Sequence, residues 1–232
     1  MVIDSYDKLS HMITYSKANL SEIVVSYVKN KILTGELKSG DRLVETDMSE
    51  ELQISRAPIR EALRELNMRG ILTFSPKKGS QILEMGYEDI MEVFSIRIPL
   101  EMQTLTIIFE KSLLEERDLD YLEALNENMI KPERDSDIED KEKTFVLNTS
   151  DLAFHKFFWE KSESFRRAEI LENQYFQLLI AMNQDLSTLG SMKEKFAEHK
   201  AIIEACRTGS LEKTLSAFQA HMDSYLKAVS KL

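Results

Sequence analysis

Between residues 90 and 229 apolar residues recur at helical spacing, and only 7 glycines and 4 prolines punctuate all 232 residues of the chain. Positions i, i+3, i+4 and i+7 form one stripe on a helix, and Gly or Pro ends it. A chain so poor in breakers folds into long helices. The pattern predicts helices at 90–111, 113–129, 150–161, 165–186, 192–207 and 211–229, the first kinked at Pro99. The polar run KPERDSDIEDKEK (131–143) predicts a solvated loop. No strand pattern or internal repeat interrupts this part, so residues 84–232 are expected to form an antiparallel all-α bundle.

The front of the chain is written differently. Residues 1–18, which include His11, show no sustained period and are expected to be loosely ordered. A second unit is expected over 19–83. Ile23, Val24, Tyr27, Val28, Ile32 and Leu33 mark a helix that Thr34-Gly35 stops. A short helix follows near 45–51, with Met48 and Leu52 inward. The next helix has a strong start: Ser55 at the cap, Pro58 in the first turn, and Ile54 with Ile59 at staple spacing. Ile59, Ala62, Leu63 and Leu66 form its buried stripe, and Gly70 ends it. ILTF (71–74), SPKKG (75–79) and SQIL (80–83) then read as strand, turn and strand, with Lys77 and Lys78 at the tip.

Charge narrows the function classes. The net charge is −10, but residues 1–83 hold 12 basic against 11 acidic side chains and residues 84–232 hold 18 against 29. Arg56, Arg60, Arg64, Arg69, Lys77 and Lys78 face only Glu61 and Glu65 between Gln53 and Ser80. An acidic body thus carries one basic docking patch. A lone cysteine, Cys206, excludes an intrachain disulfide and a thiolate zinc finger. No apolar run is long enough for a membrane helix and no signal-peptide order opens the chain, so a cytoplasmic protein with no membrane partner is expected.

Three short helices followed by a basic-tipped hairpin suit duplex DNA. A helix presenting arginine from its first turns can enter the major groove and donate two hydrogen bonds to guanine, while hairpin lysines reach phosphate or the minor groove. Any single arginine here reads more readily as a solvated helix position; the order of elements is what points to DNA. That stretch, ISRAPIREALRELNMRGIL followed by PKKGSQI, resembles the winged helix-turn-helix of the GntR transcriptional regulators. The resemblance implies DNA contacts by Ser55, Arg56 and Arg60, with Lys77, Lys78 and Gly79 at the wing. Thr46 stands where some FadR-type members carry a base-reading arginine, which leaves the operator sequence open.

Three of the 4 histidines, His155, His199 and His221, fall on predicted helices of the bundle. Asp151 and His155, four apart, share a helix face. His199 lies about 15 Å of helix before Gly209 and His221 about 18 Å after it, so an antiparallel hairpin brings them level. His221 has small neighbours at Ala217, Ser224 and Ala228, which leave room beside it. One carboxylate and three imidazoles form a nitrogen/oxygen set suited to a divalent metal. Each histidine taken alone reads as hydrogen-bonded core. Cys206, two turns or about 10 Å from His199, is excluded as a ligand.

Arg97-Ile98-Pro99-Leu100-Glu101, DLAFHKFFW and EHKAIIEACRTGSLEKTLSAFQAHM are similar to the FCD ligand-binding domain of FadR-type GntR regulators. The resemblance implies a metal, zinc or nickel, on Asp151, His155, His199 and His221, a small carboxylate effector nearby, and Arg97 beside the effector pocket. Read alone, Arg97 forms a salt bridge with Glu101 one turn on. Ser162-Glu163-Ser164 departs from the Ser-Gly-Asn turn of many members, which leaves the pocket outline open.

The expected protein is mainly α: an N-terminal winged helix-turn-helix plus an FCD-like helical bundle. It is expected to act as a homodimeric regulator on a palindromic operator, not as an enzyme. Two alternatives stand beside this: a regulator whose metal is only a structural pin, and a metal-dependent hydrolytic enzyme carrying a DNA-binding head. Against the enzyme, the sequence offers no further acid or base, no HExxH and no tandem His-Asp signature.

Overall fold

The structure, a computed structural model, describes residues 20–134, 137–183 and 192–230. The loose segment expected at 1–18, with His11, and the end of the helix expected to reach Leu186 lie outside the described residues.

Helix α1 (Leu20–Leu33) buries Val24, Val25, Val28 and Ile32. After the short strand β1 (Arg42–Leu43) come α2 (Glu45–Leu52) and α3 (Arg56–Met68). The turn between these two helices puts Gln53 at φ 55, and the Ser49 hydroxyl closes it by donating to the Ile54 carbonyl at 2.7 Å. Leu52 is only half-buried, whereas Met48 is buried as its spacing predicts. Ser55 occupies the N-cap of α3, but its side chain makes no cap hydrogen bond. The reason lies in the sequence: the third helical position, whose N–H such a cap usually engages, is Pro58, which has none. Ile59, Ala62, Leu63 and Leu66 are the buried stripe of α3, as their spacing requires.

Strands β2 (Leu72–Ser75) and β3 (Gly79–Ile82) form an antiparallel hairpin in which Phe74 faces Ser80. β1 pairs with the other edge of β3, giving the order β1-β3-β2. A two-residue strand is too short to leave a pattern, so β1 was not legible in advance. Gly79, at φ 76, turns the wing back into β3.

Among the described residues six long helices follow: α4 (Tyr87–Glu110), α5 (Glu116–Ile130), α6 (Asp140–Lys161), α7 (Phe165–Met182), α8 (Met192–Arg207) and α9 (Leu211–Val229). α4 runs on through Pro99. The segment 131–143 is not the uninterrupted loop expected: Lys131–Arg134 forms a 3₁₀ turn, and α6 begins at Asp140 rather than near residue 150. Asp140 and Glu142 complement the positive end of the helix dipole. The inward face that follows is polar, at Asn148, Ser150 and Asp151, so no apolar stripe announced that part of the helix.

Helix α7 is the wall shared by the two parts of the molecule. Leu171, Phe176, Leu179 and Ile180 join one continuous core with Val24 and Ile32 of α1, Leu66 of α3, and Ile71. Leu178, Ala181 and Met182 face the bundle core with Phe94, Phe154, Ile202 and Phe218. The last turns of α7, residues 178–182, are buried and apolar on every side, as such a position requires. Polar contacts reinforce the junction. Asn148 Nδ2 donates to the Leu33 carbonyl at 2.8 Å and Asn183 Nδ2 to the Ile32 carbonyl at 3.0 Å. These carbonyls are among the last of α1, which lack intrahelical partners. Lys29 Nζ reaches Glu172 at 2.6 Å. Among the described residues no helix is long and apolar enough to cross a membrane.

Candidate metal centre and nucleic-acid interface

Three helices bring the four expected donors together. α6 carries Asp151 and His155 one turn apart, α8 carries His199, and α9 carries His221. Gly209, at φ 69, reverses the chain between α8 and α9, and the level match expected from the two spacings results: the His199 and His221 ring centres lie 4.9 Å apart. One donor atom from each of the four residues lies within 4.8 Å of the others. His155, His199 and His221 are at most 1% exposed and Asp151 is 6% exposed.

Two of the pairwise distances suit a shared ion. Two ligand atoms on a tetrahedral metal, each about 2.0–2.1 Å from it, sit roughly 3.3 Å apart. His221 Nε2 and His155 Nε2 are 3.3 Å apart, and His199 Nε2 and Asp151 Oδ1 are also 3.3 Å apart. That second contact lacks hydrogen-bond alignment, and His199 Nδ1 has no hydrogen-bond partner either. A buried imidazole with both nitrogens unbonded is costly, and a metal at Nε2 would relieve half of that cost. The donor set of one oxygen and three nitrogens suits zinc or nickel. Cys206 stays outside the cluster, and burial pushes its thiol up to about 11.

Surrounding groups hold the donors. Glu198 Oε2 is 2.7 Å from His221 Nδ1, which turns Nε2 toward the centre. Glu101 Oε1 is 3.5 Å from His155 Nδ1, an electrostatic contact longer than a good hydrogen bond. Glu101 is itself fixed: Arg97 donates through Nε at 3.1 Å and Nη2 at 3.0 Å, and Trp159 Nε1 donates at 2.7 Å. Asp151 accepts from Tyr175 Oη at 3.0 Å and from Tyr225 Oη at 3.2 Å. Phe154 stacks on the His199 ring at 3.8 Å.

Burial pushes the His199 and His221 imidazoles below their ordinary value; for His221 the neighbouring His199, His155 and Lys195 add to the effect, and for His199 the Asp151 carboxylate opposes it. Burial pushes Asp151 the other way, but His199 and the charges of the three imidazoles outweigh it and hold the carboxyl well below the usual range. The lowered His199, His221 and Asp151 values all favour the deprotonated donors that a metal requires.

Arg97 lies beside this centre, but its pairing with Glu101 is buried, at 4% and 1% exposure, rather than a surface contact. It lines a cavity of about 30 Å³ together with Phe94, Asn148, Asp151, Tyr175, Lys195 and Tyr225. Lys195, both tyrosines and Asn148 were missed by the sequence reading. The available signals were helical: Asn148, Asp151 and His155 share one face of α6, and Lys195 lies one turn before His199 on α8. The unusual Ser162-Glu163-Ser164 turn still reverses the chain, with Glu163 in the left-handed region at φ 57.

The basic patch stands at the other end. Ser55, Arg56 and Arg60 are exposed at the start of α3, and Lys77 and Lys78 are exposed on the wing. Arg60 lies 3.7 Å from Glu45 on the exposed surface. Arg42 Nε donates to the Lys78 carbonyl at 2.6 Å, tying the wing tip to β1. Thr46 is half-buried and donates to Asp47 Oδ1 at 3.0 Å. Arg69 departs from the set: it pairs with Glu65 at 2.7 Å, and its carbonyl accepts from Gln177 of α7.

Residues 20–82 match the bacterial regulatory proteins of the gntR family, and residues 92–224 match the FCD domain. The chain is a GntR-family regulator with an FCD domain. It is 27% identical over 203 residues to the Bacillus subtilis (strain 168) HTH-type transcriptional regulator YdhC, covering 84% of each chain. It is 25% identical over 212 residues to HTH-type transcriptional regulator LutR of the same organism, covering 82% of this chain and 92% of that one. Escherichia coli McbR/YncC shares the fold, with a TM-score of 0.80 at 20% identity over 92% of this chain and 98% of that chain. These relatives are named as regulators, in line with a regulator rather than an enzyme.

Proposed function

We propose that this regulator binds a palindromic duplex operator as a homodimer in the cytoplasm, through Ser55, Arg56, Arg60 and Thr46 of the reading helices and Lys77, Lys78 and Gly79 of the wing. Its DNA affinity is set by a small carboxylate effector in a metal-containing pocket. Asp151, His155, His199 and His221 would hold the divalent ion, zinc or nickel, and Arg97 stands beside the effector. The ion would supply a Lewis-acidic site for a carboxylate oxygen. One observation carries the metal reading: four buried donor atoms converge within 4.8 Å of one another, and the nitrogens of His199 have no hydrogen-bond partner.

The route to DNA is short. Asn148 lines the cavity, its carbonyl accepts from Tyr175 at 3.0 Å, and Tyr175 also contacts Asp151. The Asn148 side chain in turn holds the end of α1. A ligand that shifts Tyr175 or Asp151 therefore acts on the seat of the DNA-binding unit. A coupling of about 1–3 kcal/mol changes operator affinity roughly 5- to 150-fold.

The small cavity favours one competing reading, a metal that only pins three helices together. A thermal melt of metal-loaded and chelated protein against a panel of small carboxylic acids separates the two. An acid that raises the midpoint only with metal present supports sensing. A midpoint that falls on chelation and answers to no acid supports the pin.

A further inference from the structure

The two cations of the cavity differ in how well they are matched. Arg97 gives two of its five N–H donors to Glu101, at 3.1 and 3.0 Å. Lys195, on α8, is 4% exposed, and among the described residues its ammonium hydrogen bonds are long, 3.4 Å to Glu198 Oε2 and 3.4 Å to Ser224 Oγ. That same Glu198 oxygen is already engaged with His221 at 2.7 Å. The ammonium also sits 3.1 Å from the centre of the Tyr225 ring. An ammonium has three donors and is strongly hydrated in water, so burial with partners this long leaves it short of negative charge.

The local charge gives the sign and size of the missing partner. Among the described groups in contact with the centre or the cavity, Asp151, Glu101 and Glu198 oppose Arg97 and Lys195, which leaves one negative charge in excess; Glu194 acts only from the exposed, solvent-screened surface. A divalent ion on the four donors turns this into one positive charge in excess. Low-dielectric surroundings disfavour uncompensated charge of either sign.

We infer that Lys195 is an anion-binding residue of the cavity, contacting the carboxylate of the effector, and that this effector is a small monoanion. The inference rests on the metal-and-carboxylate reading above. It assigns to Lys195 the recognition role that the family resemblance gives to Arg97, and leaves Arg97 to position Glu101.

The test uses the full chain loaded with zinc, titrated calorimetrically with acetate, propionate and glycolate, and with malonate and succinate as dianions. The zinc-loaded parent should bind at least one monoanion and bind the dianions more weakly. Lys195→Met, which keeps an unbranched chain in the site, should weaken that monoanion roughly 10- to 100-fold, the range for a charge-assisted hydrogen bond. Its zinc stoichiometry should stay that of the parent. Equal affinity in Lys195→Met overturns the role of Lys195, and tighter dianion binding overturns the monoanion assignment. If Lys195→Met does not fold, Lys195→Gln carries the same comparison. A parent that binds zinc but none of the acids overturns the carboxylate reading and this inference with it; a parent that binds no zinc overturns the metal reading first.

Discussion

Asn148 offers a sharp test of how the bundle holds the DNA-binding unit. Its Nδ2 donates to the Leu33 carbonyl at 2.8 Å, and Asn148 and Leu33 are 3% and 6% exposed. Asn148→Ala removes the donor and leaves a buried helix-end carbonyl unpaired, a loss of about 1–3 kcal/mol. In a chain of this size each kcal/mol moves the midpoint by roughly 2–4 °C, so the melt should fall by roughly 2–12 °C. Asn148→Asp should be worse still, because a carboxylate offers only acceptors to a carbonyl and adds a buried charge. The backbone carbonyl that accepts from Tyr175 is untouched in both variants, so zinc stoichiometry should not change. Operator binding measured with and without effector should show a reduced ratio in Asn148→Ala. The reasoning fails if Asn148→Ala melts with the parent, or if Asn148→Asp is the milder of the two.

Other outcomes follow from the same geometry. Arg60→Ala should lower operator affinity roughly 5- to 150-fold in a gel-shift titration, the worth of a bidentate base contact. Its melt should stay within about 0.5 kcal/mol of the parent, because the exposed Glu45 contact adds little; unchanged DNA affinity sinks the recognition-helix assignment. Glu163→Gly should raise stability by up to about 1 kcal/mol by relieving the left-handed backbone at φ 57, and a lower midpoint contradicts that. Chelated protein should lose stability as pH falls below about 6.5. The imidazoles of His199 and His221 are depressed in the fold, so the unfolded chain takes up protons there first, and each contributes up to about 1.4 kcal/mol per pH unit. A midpoint that stays flat from pH 7.5 to 5.5 rules this out.

Much of this was legible in the sequence where one local rule governs. The stripe Ile59, Ala62, Leu63 and Leu66, the stop at Gly70 and the basic turn before Gly79 each follow from helix period or turn chemistry. The convergence of His199 and His221 was legible because a single turn joins their helices. Residues whose role depends on tertiary burial were not. Glu101 and Glu198 look like ordinary surface acids until the fold brings His155 and His221 against them. Lys195 reads as a solvated helix position until α9 covers it with Tyr225 and Ser224. The start of α6 escaped notice because its inward residues are polar, serving α1 and the metal centre instead of an apolar core.

The most direct test of the account is the metal content and zinc affinity of the full chain beside His199→Ala. The parent should bind one divalent ion per chain, and His199→Ala, which removes the imidazole whose nitrogens have no hydrogen-bond partner, should lose at least tenfold in zinc affinity while still folding and binding DNA. A parent chain that binds no metal, or a His199→Ala variant that binds zinc as tightly as the parent, contradicts the metal centre on which the sensing account is built.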